Sequence, residues 1–150
     1  MSVEVHSVKN ESETALIAKN IASEIKGGGL ITLDGDLGAG KTFFTGALCE
    51  ALGLERKSVS SPTFVIMKKY SGIVDVYHWD FYRICSVDEL YVADFFEYLS
   101  DVYTNQRIVV FDTETTGLDV STDDIIQIAA IEIINGRKGR TFERYIQTTK

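Results

Sequence analysis

At 150 residues, 45% hydrophobic and 25% charged with a single proline, the chain has the length and composition of one ordinary globular domain. These figures exclude a disordered linker, a fibre or two complete enzymes. The formal net charge of −7 argues against a large basic nucleic-acid surface, and because residues 1–106 carry 15 acids against 9 bases, a partner meeting this front part is expected to be protein. Cys49 and Cys85 fit no metal-ligand or disulfide spacing, which predicts two reduced thiols, and no apolar run or leader pattern marks a membrane or export signal, which predicts a cytoplasmic protein.

In chain order, "NESETALIAKNIASEIKGGG" spaces Ala15, Ala18, Ile21, Ala22 and Ile25 at helical intervals and stops at Gly27 to Gly29. "LITLDGDLGAGKTFFTGALCEALGL" reads as an apolar strand, a glycine-rich turn and a helix from about Lys41 to Leu52. "TFVIMKKY" and "VDVYHWDFYR" are β-rich runs divided by Ser71 and Gly72, a predicted hairpin. "SVDELYVADFFEYLSD" returns to helical spacing, with Ser86 and Glu89 placed as a capping box. From Arg107, "RIVVF" predicts a buried strand and "DIIQIAAIEII" with "TFERYIQ" a hairpin turned by Asn135 and Gly136.

The turn after the first apolar strand satisfies G-x-x-x-x-G-K-[ST] from Gly35 to Thr42. In this pattern the glycines let backbone N–H groups of Asp36, Leu37, Gly38, Ala39 and Gly40 curl around a phosphate. The lysine, Lys41, reaches the β- and γ-phosphates, and the Thr42 hydroxyl binds Mg²⁺. No N-K-x-D stretch reads guanine, so ATP is the expected nucleotide.

"GDLGAGKTFFTGALCEALG", "VSSPTF" and "HWDFYR", in this order, resemble the TsaE (YjeE) ATPases of bacterial tRNA threonylcarbamoyladenosine synthesis, and the resemblance runs from about Ser12 to Leu99. It implies a small P-loop ATPase, weak alone, that joins the TsaB and TsaD proteins, meets tRNA only through that complex, and keeps it turning over without itself transferring the carbamoyl group. Ser61 to Phe64 match the family's switch-like segment near the γ-phosphate, or form a simple turn before a strand. Asp80 matches the acid of H-x-D-x-Y-R, which holds Mg²⁺ through water or orients the attacking water; the alternative is an acid capping the next turn. His78 and Arg83 belong to the same stretch and have equally ordinary structural readings, and Trp79 reads as core or partner surface. Thr14 aligns with a position that approaches the base, or else caps the first helix.

Ile108 to Asp112 is an apolar run ending in an acid, the pattern of a Walker B strand that brings a carboxylate to Mg²⁺. The TsaE family has Glu-Trp at this place, where this chain has Asp112 and Thr113. "FDTETTGLD" followed by "DDIIQIAAIEI" also resembles the first motif of DnaQ-like 3′–5′ exonucleases, in which the equivalents of Asp112 and Glu114 bind two metal ions. That mechanism needs further carboxylates and a general base from H-x-x-x-D motifs downstream, and no His follows Glu114. An exonuclease in this chain alone is therefore not expected; the rival readings are the front of a longer nuclease fusion and a nucleotide-dependent adaptor that does not hydrolyse.

The resulting expectation is a three-layer α/β P-loop NTPase fold with a mainly parallel central sheet and a C-terminal β-hairpin. Residues 1–106 form the ATPase core, and residues 107–150 pack on its sheet. Lys41, Asp80 and Asp112 are the expected catalytic groups. Thr42, Asp80, Asp112 and Glu114 are the metal candidates.

Overall fold

A computed structural model describes residues 2–25, 28–105, 108–113, 123–134 and 137–149. Among them, one apolar strand organises the rest: β2 (Gly29–Asp34) buries Ile31 and Leu33 completely on one face and sits in the middle of a seven-stranded sheet. On its two sides lie β5 (Ile108–Thr113), parallel to it, and β6 (Asp123–Ile134), antiparallel to it. β4 (Val76–Asp80) pairs parallel with β5, and β3 (Met67–Tyr70) closes that edge against β4. On the other side β7 (Arg137–Thr149) pairs with β6, and β1 (Ser2–Val8) forms the far edge parallel to β7.

The sheet is mixed, which corrects the expectation of a mainly parallel one: three of its ladders are parallel (β1 with β7, β2 with β5, β4 with β5) and three antiparallel. The reason is connection length. A parallel return needs a crossover of about a dozen residues or more, and the chain between β5 and β6, residues 114–122, is shorter than that. β6 consequently runs back beside β2. β1 was not expected from the sequence: Val3 and Val5 alternate with polar residues, and among the described residues the strand pairs with β7.

One face of the sheet is covered by α1 (Glu11–Glu24) and α2 (Lys41–Ala51). Ile17, Ala18, Ile21 and Ala22 of α1 meet Phe44, Ala47 and Leu48 of α2 over Ile31, Leu33, Val76 and Val110 in one buried cluster. α1 begins at Asn10, whose side chain accepts from the Glu13 N–H at 3.1 Å. Asn10, and not Thr14, is thus the cap; Thr14 lies within the first turn, buried. A second cluster joins Tyr77, Trp79, Phe95 and Ile133, with the Trp79 and Phe95 rings edge-to-face at 5.0 Å. The single helix expected after Ser86 is divided into α3 (Val87–Val92) and α4 (Phe95–Asn105), because Asp94 takes a left-handed backbone at φ 56 between them. That turn delivers Phe95 to Trp79. Ser86 is the cap residue of α3, but Glu89 accepts from Cys85 N at 3.3 Å, so the box closes one residue early. Asn135 and Gly136, the expected hairpin turn, lie outside the described residues. No helix among those described is long and apolar enough to cross a membrane.

Candidate functional site

β2 ends at Asp34 and the chain enters the glycine loop at once. Gly38 at φ 89 and Gly40 at φ 102 occupy the left-handed region that side chains resist, so the loop can curl tightly enough to start α2 immediately afterwards. Gly40 is the residue capping α2 and brings no side chain to it. The first N–H groups of that helix are aimed back at the loop, together with the positive end of the helix dipole.

Lys41, the first residue of α2, is only 5% exposed. Its ammonium donates to the carbonyls of Gly35 at 2.6 Å and Asp36 at 2.9 Å, which holds a positive charge over the loop it belongs to. Thr42 follows it into the same cleft, a space of about 200 Å³ with the glycine loop on one side and Ser61, Thr63 and Asp80 on the other. A larger hollow of about 480 Å³ lies between the outer turns of α1 and α2, around Leu16, Lys19 and Glu50, but it has neither a glycine loop nor a buried cation. The glycine loop and the buried Lys41 belong to the smaller space.

Asp80 stands at the end of β4, 5% exposed, and is used on both oxygens. Oδ1 accepts from the Tyr82 N–H at 2.9 Å, the turn-capping role open to it from sequence. Oδ2 accepts from the Thr63 hydroxyl at 2.5 Å and the Ser61 hydroxyl at 3.2 Å, and those two hydroxyls are 2.5 Å apart. The acid and the "SPTF" segment are therefore one hydrogen-bonded unit, seventeen or more residues apart in sequence. That direct link was not legible in the sequence, where the two motifs stood as separate candidates.

The segment is also held from behind. The Lys68 ammonium on β3 donates to the Ser60 hydroxyl at 2.5 Å and the Ser61 carbonyl at 3.1 Å. Two residues on, the Tyr70 hydroxyl donates to the Ser60 carbonyl at 3.1 Å and accepts from its N–H at 3.4 Å. Burial raises the pKa of this phenol, which keeps it a donor. After the segment, Ile66 takes φ 67, a left-handed conformation that costs a β-branched residue about 1–3 kcal/mol. Its N–H bonds the Pro62 carbonyl at 2.7 Å and its carbonyl takes the Asp80 N–H at 2.9 Å, so the surroundings hold the strain in place.

The remaining expected residues distribute unevenly. Asp36 and Ala39 form the floor of the loop, with Ala39 N–H donating to the Asp36 carbonyl at 3.1 Å, and Leu37 projects from it, 81% exposed. Asp112 belongs to β5, where the pairing register sets it between Leu33 of β2 and Asp80 of β4. Glu114 lies outside the described residues. Thr14 is on α1, and the cleft is lined without it. His78 is fully buried with its ring 6.3 Å from that of Tyr70, Trp79 is core, and Arg83 is exposed.

Residues 8–140 match the family model described as threonylcarbamoyl adenosine biosynthesis protein TsaE, a match that continues through β5 and β6 into β7. A Bacillus subtilis protein named tRNA threonylcarbamoyladenosine biosynthesis protein TsaE is 51% identical over 76 residues, 50% of this chain and 48% of that relative. The protein of the same name from Rickettsia conorii is 38% identical over 97 residues, 64% and 55% of the two chains. One from Aquifex aeolicus is 40% identical over 83 residues, 54% and 62%. The matched stretch thus spans about half the length of the first two relatives. With the family model running over most of the sequence and through the glycine loop, "SPTF" and Asp80 alike, the chain belongs to the TsaE family.

Proposed function

We propose that the chain binds ATP with Mg²⁺ in this cleft and hydrolyses it slowly. In this reading it is the cytoplasmic, nucleotide-driven component of bacterial tRNA threonylcarbamoyladenosine synthesis, working with TsaB and TsaD on a three-layer P-loop scaffold. The observation that carries the reading is the placement of the buried Lys41 ammonium and Thr42 across one small cleft from Asp80 and its two hydroxyl donors. The names of the matched relatives support the pathway.

The donors present suit the expected groups. Two left-handed glycines, a helix N-terminus and a buried cation form a cradle for an anion. A hydroxyl and a carboxylate are the hard oxygen donors that magnesium prefers. The space is smaller than the roughly 300–1,000 Å³ that encloses a drug-sized ligand, so it houses the phosphate end of a nucleotide and leaves the base outside. Thr42 would hold the metal, with Asp80 and Asp112 as the carboxylates for its water shell. Magnesium, when bound, supplies positive charge that offsets the negative charge developing on the transferring phosphoryl group. Lys41 exchanges its two loop carbonyls for phosphate oxygens, and Asp80, with Ser61 and Thr63, orients the attacking water.

Replacing Lys41 with Ala is expected to abolish nucleotide binding, read by titration with a fluorescent ATP analogue, and phosphate release with TsaB and TsaD present. A variant that binds and turns over like the parent chain would overturn the reading.

A further inference from the structure

The back of the "SPTF" segment is held by side chains from a single face of β3. Lys68 and Tyr70, two residues apart on that strand, both converge on Ser60: one takes its hydroxyl and the neighbouring Ser61 carbonyl, the other brackets its backbone N–H and carbonyl. Neither side chain lines the cleft. The next residue, Ser61, turns its hydroxyl the other way, to Asp80. Because β3 and β4 form one hairpin, with Lys68 opposite His78, the anchor and the acid belong to one hydrogen-bonded unit, and the segment is held by both of its strands. The strained Ile66 backbone at the far end of the segment shows that it does not relax to the conformation its own sequence prefers. External contacts set its shape, and on the Ser60 side those contacts are Lys68 and Tyr70.

We propose that Lys68 and Tyr70 are positioning residues: through Ser60 they fix where the Ser61 and Thr63 hydroxyls sit relative to Asp80, and so set the rate of ATP turnover without contributing to nucleotide affinity. This rests on the function proposed above. Loosening the anchor leaves the glycine loop, Lys41 and Thr42 untouched, so binding is retained. The hydroxyls and the carboxylate then sample misaligned positions, and misplacement of about 1 Å in a catalytic group is enough to slow a reaction a hundredfold.

Two substitutions isolate the effect. Lys68→Met keeps the stem and removes the charge; Tyr70→Phe keeps the buried ring and removes the hydroxyl. With TsaB and TsaD present, each is expected to lower kcat for ATP at least fivefold while the affinity for a fluorescent ADP analogue stays within twofold, and Lys68→Arg is expected to restore most of the loss. Hydrogen exchange over residues 59–66, measured without nucleotide, is expected to accelerate several-fold in both variants. Parental kcat in both folded variants, or loss of affinity equal to the loss of kcat, overturns the inference. So does parental exchange over 59–66, a result that holds even if the chain proves not to hydrolyse ATP. Absence of nucleotide binding by the parent chain would instead overturn the function proposed above, leaving the exchange measurement to decide the anchor.

Discussion

Single residues in this protein are set to opposite tasks by their surroundings. Asp80 accepts three hydrogen bonds, and the change Asp80→Asn leaves its size intact but puts an amide where two hydroxyl donors need an acceptor. On the proposed function, ATP turnover with TsaB and TsaD present is expected to fall at least a hundredfold while nucleotide still binds, measured by phosphate release beside an affinity titration. Cys49 on α2 does no such work: it is fully buried, and burial raises its pKa from 9.0 to about 12. The fold therefore favours the neutral thiol. The unfolded chain gives up this proton first as pH rises, so the thiol's contribution to stability is complete below pH 9 and is lost between pH 9 and about 12. Denaturant titrations across that window should show a downward slope that flattens, by up to about 1.4 kcal/mol per pH unit, in Cys49→Ala. An equal slope in both proteins would contradict this assignment. Labelling at neutral pH should modify the exposed Cys85 and spare Cys49 until the protein unfolds.

At the level of elements, the decisive contacts are those between backbones. Gly29 opens β2 beside β6 so closely that a Cβ added there would lie 2.5 Å from the Ile131 carbonyl oxygen. Gly29→Ala must spread that ladder, and a loss of about 1–3 kcal/mol is expected by thermal or denaturant unfolding. What was legible in the sequence follows the range of the interactions concerned. The glycine loop, the helix behind it and both hairpins depend on residues a few positions apart, and their spacing shows it. The left-handed Asp94 that splits α3 from α4 is a choice of one backbone angle, made to seat Phe95 on Trp79, and no periodicity records it. Likewise Lys68 looks like any surface lysine until the chain brings Ser60 to it. The missed strand β1 is the extreme case, since among the described residues its ladder is with β7, and Arg144 of β7 adds ion pairs to Glu4 at 3.1 Å and to Glu24 of α1 at 3.6 Å.

For the whole molecule, strands from both sides of residue 106 build one sheet. Both neighbours of β2 come from beyond it, and β5 separates β2 from β4. A chain ending at Asn105 would leave β2 with no partner strand and the cleft without the register that sets Asp80 beside β5. Such a fragment is expected to show no cooperative unfolding transition by circular dichroism; a sharp transition would mean that the front part folds alone. The same topology imposes an order of events in time. Ribosomes add roughly 5–20 residues per second, so β1 waits on the order of ten seconds for β7, its partner, to emerge. Pairings this distant in sequence also close slowly once available. During that interval the glycine loop already exists as a peptide but has no framework, and the apolar β2 beside it is unprotected. The glycine loop gains its framework only when β5 and β6 have joined β2.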